Sequence, residues 1–186
     1  DVSVVIPCFN SAEHLPRCLD SILAQRIPVR EIICIDDGST DNTIQILRQY
    51  EAKHQHLFKI VQQENSGAGK ARNRGLEMAQ GTYVQFLDAD DCLLPDKILN
   101  QLELIACRNG VELIAGNFTR INGESKELVQ VFTEDPWIAL IRGKLGCTCS
   151  NLFLRSSLVA SGGWNINQKS SQEVELMFRL LGSGIT

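Results

Sequence analysis

Short apolar runs alternate along the chain, as far as residue 116, with stretches in which leucine and isoleucine recur at helical spacing. Five runs are predicted as strands: the run at residues 2–6 is continuous and β-branched, as in a strand buried on both faces, and the run at 58–63 is the weaker prediction. They lie at residues 2–6, 32–35, 58–63, 82–87 and 111–116. The segments between them place apolar residues three and four positions apart, as amphipathic helices do. This alternation predicts an α/β fold: a Rossmann-like, mostly parallel sheet with helices on both faces.

The alternation of apolar runs with helical spacing becomes less regular after residue 117. A polar stretch at 118–132 predicts a β-hairpin with Asn122-Gly123 as its turn. Residues 136–142 predict a short helix, residues 150–155 a strand, and residues 170–181 a helix with Val174, Met177, Phe178 and Leu181 at helical spacing.

Composition narrows the function classes. The net charge of −4, with no run of Lys or Arg, argues against a nucleic-acid partner. No run approaches the ~20 apolar residues of a membrane span. Seven cysteines cannot all pair, and Cys147 and Cys149 lack the second pair that a zinc site needs. We therefore expect a reducing, cytoplasmic setting. Extension of the native chain past residue 186 is left open, and so is peripheral association of such a chain with the inner face of the membrane.

Two acidic clusters follow predicted strands. Asp36-Asp37 ends the second strand, and Asp88, Asp90 and Asp91 end the fourth. Because parallel strands end at the same edge of a sheet, both clusters should open onto one crevice. Three crowded carboxylates are costly unless a cation lies among them.

Mg²⁺ or Mn²⁺ is the expected cation, since these ions take a few carboxylates and complete their shell with water and phosphate oxygens. On an extended segment Asp88 and Asp90 point to the same side, with Asp91 in reach if the chain turns. The alternative is an acidic turn that caps the following helix.

The segment NSGAGKARNRG, residues 65–75, contains three glycines and three basic residues. It lacks the Walker spacing, but Lys70 and Arg72 close to a helix N-terminus suit an anion. The alternative is a capped helix with a basic face. Three histidines (His14, His54 and His56) have no partners at catalytic or ligand spacing and are expected on the surface.

Four blocks follow one another in the chain: VSVVIPCFN, DDGSTDNT, N-x-G-x-G-x-A-R-N-x-G and FLDADD. Together they resemble glycosyltransferase family 2, the inverting family with the GT-A fold. The resemblance implies one domain, with a nucleotide-sugar-binding half at 1–117 and an acceptor-side half at 118–186. It implies Mn²⁺ or Mg²⁺ and transfer from a nucleoside-diphosphate sugar, expected to be UDP-linked. The acceptor is the hydroxyl of a carbohydrate, of a lipid-linked molecule or of another compound.

The resemblance also implies site residues. Those for the nucleotide-sugar are Pro7, Phe9, Asn10, Asp36, Asp37, Arg72, Asp88, Ala89 and Asp90, with Asp37 favoured over Asp36 for the base. The metal residues are Asp88, Asp90 and Asp91, of which Asp88 alternatively holds the ribose or a metal-bound water. Glu173 of the Gln172-Glu173 pair, where the family has Glu-Asp, is the implied catalytic base. Trp164 faces the acceptor, or alternatively packs in the core.

Two other readings remain. The first is a non-catalytic nucleotide-sugar-binding module, in which Gln172-Glu173 is an inactive form of the pair. The second is a phosphoryl receiver domain, which also gathers acids around Mg²⁺ at strand ends. A receiver needs a lysine at the end of a later strand, whereas the fifth predicted strand ends in Gly116-Asn117.

Overall fold

Residues 1–132 and 135–185, which this computed structural model describes, form eight strands and seven helices. The strands are β1 (Val2–Cys8), β2 (Glu31–Asp36), β3 (Phe58–Gln62), β4 (Tyr83–Phe86), β5 (Leu113–Ile114), β6 (Phe118–Asn122), β7 (Ser125–Val129) and β8 (Leu152–Leu154). The helices are α1 (Leu15–Leu23), α2 (Thr43–Lys53), α3 (Ala68–Met78), α4 (Lys97–Ala106), α5 (Pro136–Ile141), α6 (Arg155–Ala160) and α7 (Gln172–Gly182).

The main sheet has the strand order β3-β2-β1-β4-β8-β5. The strands β1 to β4 are parallel, and β8 runs antiparallel between β4 and β5. The predicted mostly parallel sheet is therefore confirmed. The chain builds outward from β1 to β3 and then returns to place β4 on the other side of β1. The strand order reverses between β1 and β4, and at such a switch point open α/β sheets leave a crevice.

Helices cover both faces of the sheet, which explains the continuous apolar strands. Val4 and Ile6 of β1 face the layer that contains α1, α2 and α4. Val5 faces the opposite layer, which contains α3, α6 and α7. Because successive strand residues point to opposite faces, a strand covered on both sides needs apolar residues at every position.

The second half of the chain departs from the predicted pattern. The predicted strand 111–116 shrinks to the two residues of β5, which lies at the sheet edge beyond β8. The hairpin β6–β7 forms, but its two-residue loop is Gly123-Glu124, with Gly123 at a φ of 59°. Helix α6 was not predicted, because it follows β8 without a turn residue to mark its start.

The predicted division at residue 117 is crossed by the main sheet. Strand β8 comes from the second half and pairs with β4 of the first, so the two halves share one sheet. The last residue of the predicted second half, Thr186, lies outside the described residues. Among those that are described, no helix has the length and hydropathy of a membrane span.

Candidate functional site

A crevice of about 360 Å³ opens at the carboxyl ends of β1 and β4. It is lined by every residue of the predicted nucleotide-sugar set except Asp36. Ala68, at the N-terminus of α3, also lines it, so the amino end of that helix faces the crevice. Residues as far apart in the sequence as Pro7 and Asp90 thus meet in one place.

The two acids at the end of β2 have different surroundings. Asp36 is buried, and its carboxylate accepts hydrogen bonds from the Ser39 N–H at 3.3 Å and from Gln62 Nε2 at 3.3 Å. Asp37 lines the crevice, where it accepts from Gln63 Nε2 at 2.7 Å and from the N–H groups of Ser66 and Gly67 at 2.9 and 2.8 Å.

These bonds set the charge of Asp37. Burial raises the pKa of its carboxyl, but the hydrogen bonds from Gln63, Ser66 and Gly67 outweigh burial and lower the pKa. Asp37 is therefore an ionised acceptor that holds the loop before α3 against the end of β2.

Asn10 ties the first loop to the second. Its Oδ1 accepts from the Thr40 N–H at 2.8 Å, and its own N–H donates to Ser39 Oγ at 3.0 Å. Its φ of 48° lies in the left-handed region, which asparagine tolerates better than most residues. The neighbouring Phe9 ring is 49% exposed and lines the crevice, so it is available for stacking.

The glycine and asparagine positions of block 65–75 pack α3 against the rest of the fold. A Cβ on Gly75 would lie 2.2 Å from Val5 Cγ1, so only glycine lets the helix approach β1 this closely. Asn73 Oδ1 accepts a hydrogen bond from the Trp164 N–H at 2.7 Å, and Asn73 Nδ2 donates one to the Trp164 carbonyl at 2.8 Å. The block thus fixes the helix that carries Arg72, whereas Lys70 is exposed.

Arg72 connects the two halves of the site. Its Nη2 lies 2.6 Å from Asp88 Oδ1, its Nη1 donates to Gln172 Oε1 at 3.2 Å, and its guanidinium lies 4.5 Å from the centre of the Trp164 ring. The side chain is almost fully buried, which makes its charge expensive unless it stays paired. Arg72 therefore positions Asp88 from one side and the start of α7 from the other.

Trp164 is 2% exposed and packs edge-to-face on Phe86, with ring centroids 5.2 Å apart. The acceptor role predicted for Trp164 needs an open aromatic plane, which this buried ring does not present. Its contact with the site runs through Arg72, so the structure favours the core-packing alternative.

The Asp88 to Asp91 segment is a turn and not an extended strand end, since the Asp91 N–H donates to the Asp88 carbonyl at 3.0 Å. The prediction that Asp88 and Asp90 lie on an extended segment, with their side chains on one side, is therefore wrong. Asp88 turns to Arg72, and the Asp90 carbonyl accepts from Arg17 Nη2 at 2.9 Å. Within residues 1–132 and 135–185, no three His, Cys, Asp or Glu side chains form a group that could hold a metal ion. The predicted three-carboxylate ligand set is thus not preassembled.

The turn still suits a hard divalent cation shared with a ligand. Burial raises the pKa of Asp91, and the charges of Asp88 and Asp90 raise it further, against the lowering effects of the Cys149 thiol and of Arg17. This means that negative charge at the turn is not fully neutralised by the protein. Oxygen donors with excess negative charge fit Mg²⁺ or Mn²⁺, which take their other ligands from water and phosphate.

Glu173 stands in the first turn of α7, after Ser171, whose φ of 54° is unusual for serine. Burial raises the pKa of its carboxyl to about 7, and the charges of Cys147 and Asp88 add to the rise, while Thr148 and Arg72 lower it. Its Oε1 is buried and makes no hydrogen bond to any described residue. A carboxylate with a pKa near neutrality and a free oxygen is suited to general-base chemistry.

Three features of the site were not predicted. His14 is exposed as expected, but it also lines the crevice. Gln172, read from the sequence only as half of an altered acidic pair, holds Arg72. The Cys147–Cys149 turn lies close to two carboxyls of the site: the Cys149 thiol hydrogen-bonds to Asp91, and charge on Cys147 raises the pKa of Glu173. No spacing in the sequence marks these contacts, because each of them joins distant segments.

Comparisons with known proteins agree with this geometry. A sequence profile described as "Glycosyl transferase family 2" matches residues 3–159. Glycosyltransferase AglE of Haloferax volcanii is 33% identical over 167 residues, which cover 87% of this chain and 55% of that protein. The putative teichuronic acid biosynthesis glycosyltransferase TuaG of Bacillus subtilis is 44% identical over 108 residues, 58% of this chain and 43% of that protein. The chain thus spans about half of the length of these two relatives.

Solved structures share the fold. The crystal structure of S. aureus TarS 1-349 in complex with UDP superposes with a TM-score of 0.83 at 23% identity, over 97% of this chain and 54% of that one. The mannosyltransferase PcManGT from Pyrobaculum calidifontis, in complex with GDP-Man and Mn²⁺, gives a TM-score of 0.77 at 22% identity, over 99% and 52% of the two chains. The match to the family profile also removes the phosphoryl receiver alternative.

Proposed function

Because this chain belongs to glycosyl transferase family 2, we propose that it carries the donor site and the catalytic base of an inverting glycosyltransferase. The donor is a nucleoside-diphosphate sugar, with UDP as the favoured nucleotide. The acceptor offers a hydroxyl group and is a carbohydrate, a lipid-linked molecule or another compound. The reaction takes place in the cytoplasm, a reducing setting that suits seven unpaired cysteines.

One observation carries the proposal: the β1/β4 crevice gathers the four sequence blocks and places them within electrostatic range of Glu173. The rim at Phe9 and Asn10 supports base and ribose binding, since an exposed ring can stack on a base. Asp37 holds the loop on this side and offers its remaining acceptor capacity to the base.

The diphosphate lies at the N-terminus of α3, where free N–H groups and the helix dipole favour negative charge. Asp90 and Asp91 hold the divalent cation, and Asp88 is kept in place by Arg72. When bound, the cation neutralises the diphosphate and stabilises it as a leaving group.

Glu173 acts as the base. It accepts the proton of the acceptor hydroxyl as that oxygen bonds to the anomeric carbon, and the bond from this carbon to the diphosphate oxygen breaks. Attack from the face opposite the leaving group inverts the anomeric centre. The raised pKa of Glu173 favours this role over an inactive Gln172-Glu173 pair.

The test is calorimetric titration with UDP and with GDP, each with Mn²⁺, with Mg²⁺ and with EDTA. We expect binding of one nucleotide that weakens when EDTA removes the metal. If neither nucleoside diphosphate binds under any condition, the proposed donor site is wrong.

A second measurement separates an enzyme from a binding module. UDP- and GDP-sugars are incubated with the protein, and the release of nucleoside diphosphate is followed with a coupled assay. Release that depends on Glu173 supports the enzyme. Nucleotide binding without release from any donor, even with a panel of sugar acceptors, supports the binding module.

A further inference from the structure

The turn that precedes β8 brings two thiols together. Cys147 and Cys149 are both unpaired and partly buried, and their Sγ atoms lie 3.2 Å apart. The turn is closed by the N–H groups of Ser150 and Asn151, which both donate to the Cys147 carbonyl at 3.0 Å. Ser150 Oγ accepts the Cys147 N–H at 2.8 Å, so the turn is held at both ends. The thiol pair is therefore preassembled by backbone that does not depend on the sulfur atoms.

The turn that carries the two thiols interacts with two carboxyl groups of the proposed active site. The Cys149 thiol interacts with Asp91, and the Thr148 side chain interacts with Glu173.

An independent observation concerns the cation nearby. Lys97 begins α4, and its Nζ is buried without a hydrogen bond to any residue that the structure describes. Burial lowers the pKa of this ammonium to about 7, while negative charge on Cys149 and Cys147 raises it. An unpartnered ammonium within electrostatic range of two thiols favours the thiolate, which is the nucleophilic form.

The charge state of Cys147 agrees with this arrangement. A hydrogen bond between the two sulfurs, in which either can be the donor, lowers the pKa of the Cys147 thiol, and hydrogen bonds from Ser150 lower it further, against burial.

We propose that Cys147 and Cys149 form a peroxide-reactive dithiol that is oxidised to a disulfide within the turn. The Cys147 thiolate attacks one oxygen of hydrogen peroxide; the O–O bond breaks, hydroxide leaves and Cys147 becomes a sulfenic acid. The Cys149 sulfur then attacks the Cys147 sulfur, the S–O bond breaks and a second hydroxide leaves. Two thiols and one peroxide become one disulfide and two waters, so the sulfurs are oxidised as the peroxide is reduced.

Formation of the bond shortens the sulfur separation from 3.2 Å to about 2.05 Å. It also removes the Cys149 thiol proton from its interaction with Asp91. Cytosolic disulfides of this kind are transient, and exposed or strained ones are reduced again readily.

The experiment measures the thiols directly and needs neither donor nor acceptor. The reduced protein is treated with equimolar hydrogen peroxide, free thiols are alkylated at intervals, and tryptic peptides are analysed by mass spectrometry. Cys147 and Cys149 share the peptide 145–155, which contains no other cysteine. We expect this peptide to lose the mass of two hydrogen atoms as the disulfide forms. This loss should be at least about tenfold faster than oxidation of the exposed Cys92 and Cys107. Dithiothreitol should return the peptide to its reduced mass.

Matched variants separate the roles. Cys147→Ser should abolish the fast reaction, and Cys149→Ser should stop at the sulfenic acid or go on to the sulfinic acid. Lys97→Met should slow the oxidation several-fold, and Lys97→Arg should retain most of the rate; their unfolding temperatures check that they fold. The proposal is overturned if peptide 145–155 reacts no faster than Cys92 and Cys107, if it forms no internal disulfide, or if Cys147→Ser leaves the fast phase intact.

Discussion

Two parts of the proposed site are built differently: the donor side, which is the crevice at the ends of β1 and β4, and the catalytic side, which is the start of α7 with Gln172 and Glu173. On the donor side, side chains bond to the backbone of neighbouring loops: Asn10 Oδ1 accepts the Thr40 N–H, and Asp37 accepts the N–H groups of Ser66 and Gly67. On the catalytic side, single side chains bond to other side chains. Gln172 Oε1, for example, accepts a hydrogen bond from Arg72, which lies 100 residues earlier in the chain.

This difference separates residues that bind the donor in a fixed charge state from a residue that can take up and release a proton. Carboxylates saturated with hydrogen bonds have lowered pKa values and stay ionised, as Asp37 does. Glu173 is buried with one oxygen unpartnered among the described residues, and its pKa is raised to about 7, so it can exchange a proton. Substitutions on the two sides should therefore affect binding and turnover separately.

The largest expected effect is that of Glu173→Gln on turnover. The amide keeps the size of the side chain but cannot accept the proton, so transfer should fall by about 10²- to 10⁴-fold. Nucleotide affinity should stay within about twofold, because Glu173 does not line the crevice where the nucleotide is proposed to bind. Initial rates of donor turnover and calorimetry with UDP or GDP measure the two effects.

Glu175→Gln is the matched control, since Glu175 lies in the same turn of α7 but pairs with Arg179 at 2.6 Å. It should leave turnover within about twofold. If Glu173→Gln retains full activity, another group is the base and the contrast between the two sides fails.

Asp90→Asn should act on the donor side. The substitution keeps the shape of the turn, since the Arg17 bond uses the Asp90 carbonyl, but it removes one proposed metal oxygen charge. We expect nucleotide affinity in Mn²⁺ to fall by at least about tenfold, or ~1.4 kcal/mol, and affinity in EDTA to stay unchanged. Titration calorimetry in both buffers measures this.

Glu103→Gln, which changes an exposed carboxylate on α4, is the control for charge. It should leave both affinities unaltered. An equal loss of affinity for Asp90→Asn in EDTA would mean that Asp90 contacts the nucleotide itself and does not act through a metal.

The pH dependence of kcat/KM should follow the deprotonation of the Glu173 carboxyl. The base works only when deprotonated, so kcat/KM should be level above about pH 7 and fall about tenfold per unit below it. Because Thr148 lowers the pKa of Glu173, Thr148→Val should move the midpoint to higher pH. A profile that is flat from about pH 5.5 to about pH 8 would rule out Glu173 as the titrating base.

The same contrast explains what the sequence could predict. Apolar runs such as 2–6 mark strands covered on both faces, and the parallel topology then brings Asp37 and Asp88 to one edge. Donor-side roles follow from local blocks, because each block holds its own polar residues at the end of a strand or the start of a helix and the parallel topology brings the blocks together. The family resemblance, carried by the same blocks, is confirmed by the profile match.

The catalytic side was harder to predict because its contacts are tertiary. Nothing in the residues around Trp164 shows that its ring is buried under Arg72, and nothing in C-x-C shows that the thiols lie beside Glu173. Strand β8 joins the sheet antiparallel between β4 and β5, where a three-residue apolar run carries no sign of its direction. The Asp88 side chain pairs with Arg72 at 2.6 Å, a contact between a strand end and a helix that the sequence does not mark.

The smallest expected effect on activity, and a sharp test of packing, compares two helical glycines from the two sides. Gly75→Ala on α3 forces a Cβ to within 2.2 Å of Val5 Cγ1, so the helix must shift away from β1, at a cost of about 1–3 kcal/mol in unfolding free energy. Gly182→Ala at the end of α7 meets nothing within 4 Å and should be neutral or stabilising by up to ~1 kcal/mol. Chemical denaturation measures both.

Because α3 carries Arg72 and supplies the N-terminus at the crevice, Gly75→Ala should also weaken nucleotide binding modestly, whereas Gly182→Ala should not. Equal stability of the two variants would mean that α3 does not need its close approach to β1, and that the donor side is less rigidly built than its hydrogen bonds indicate.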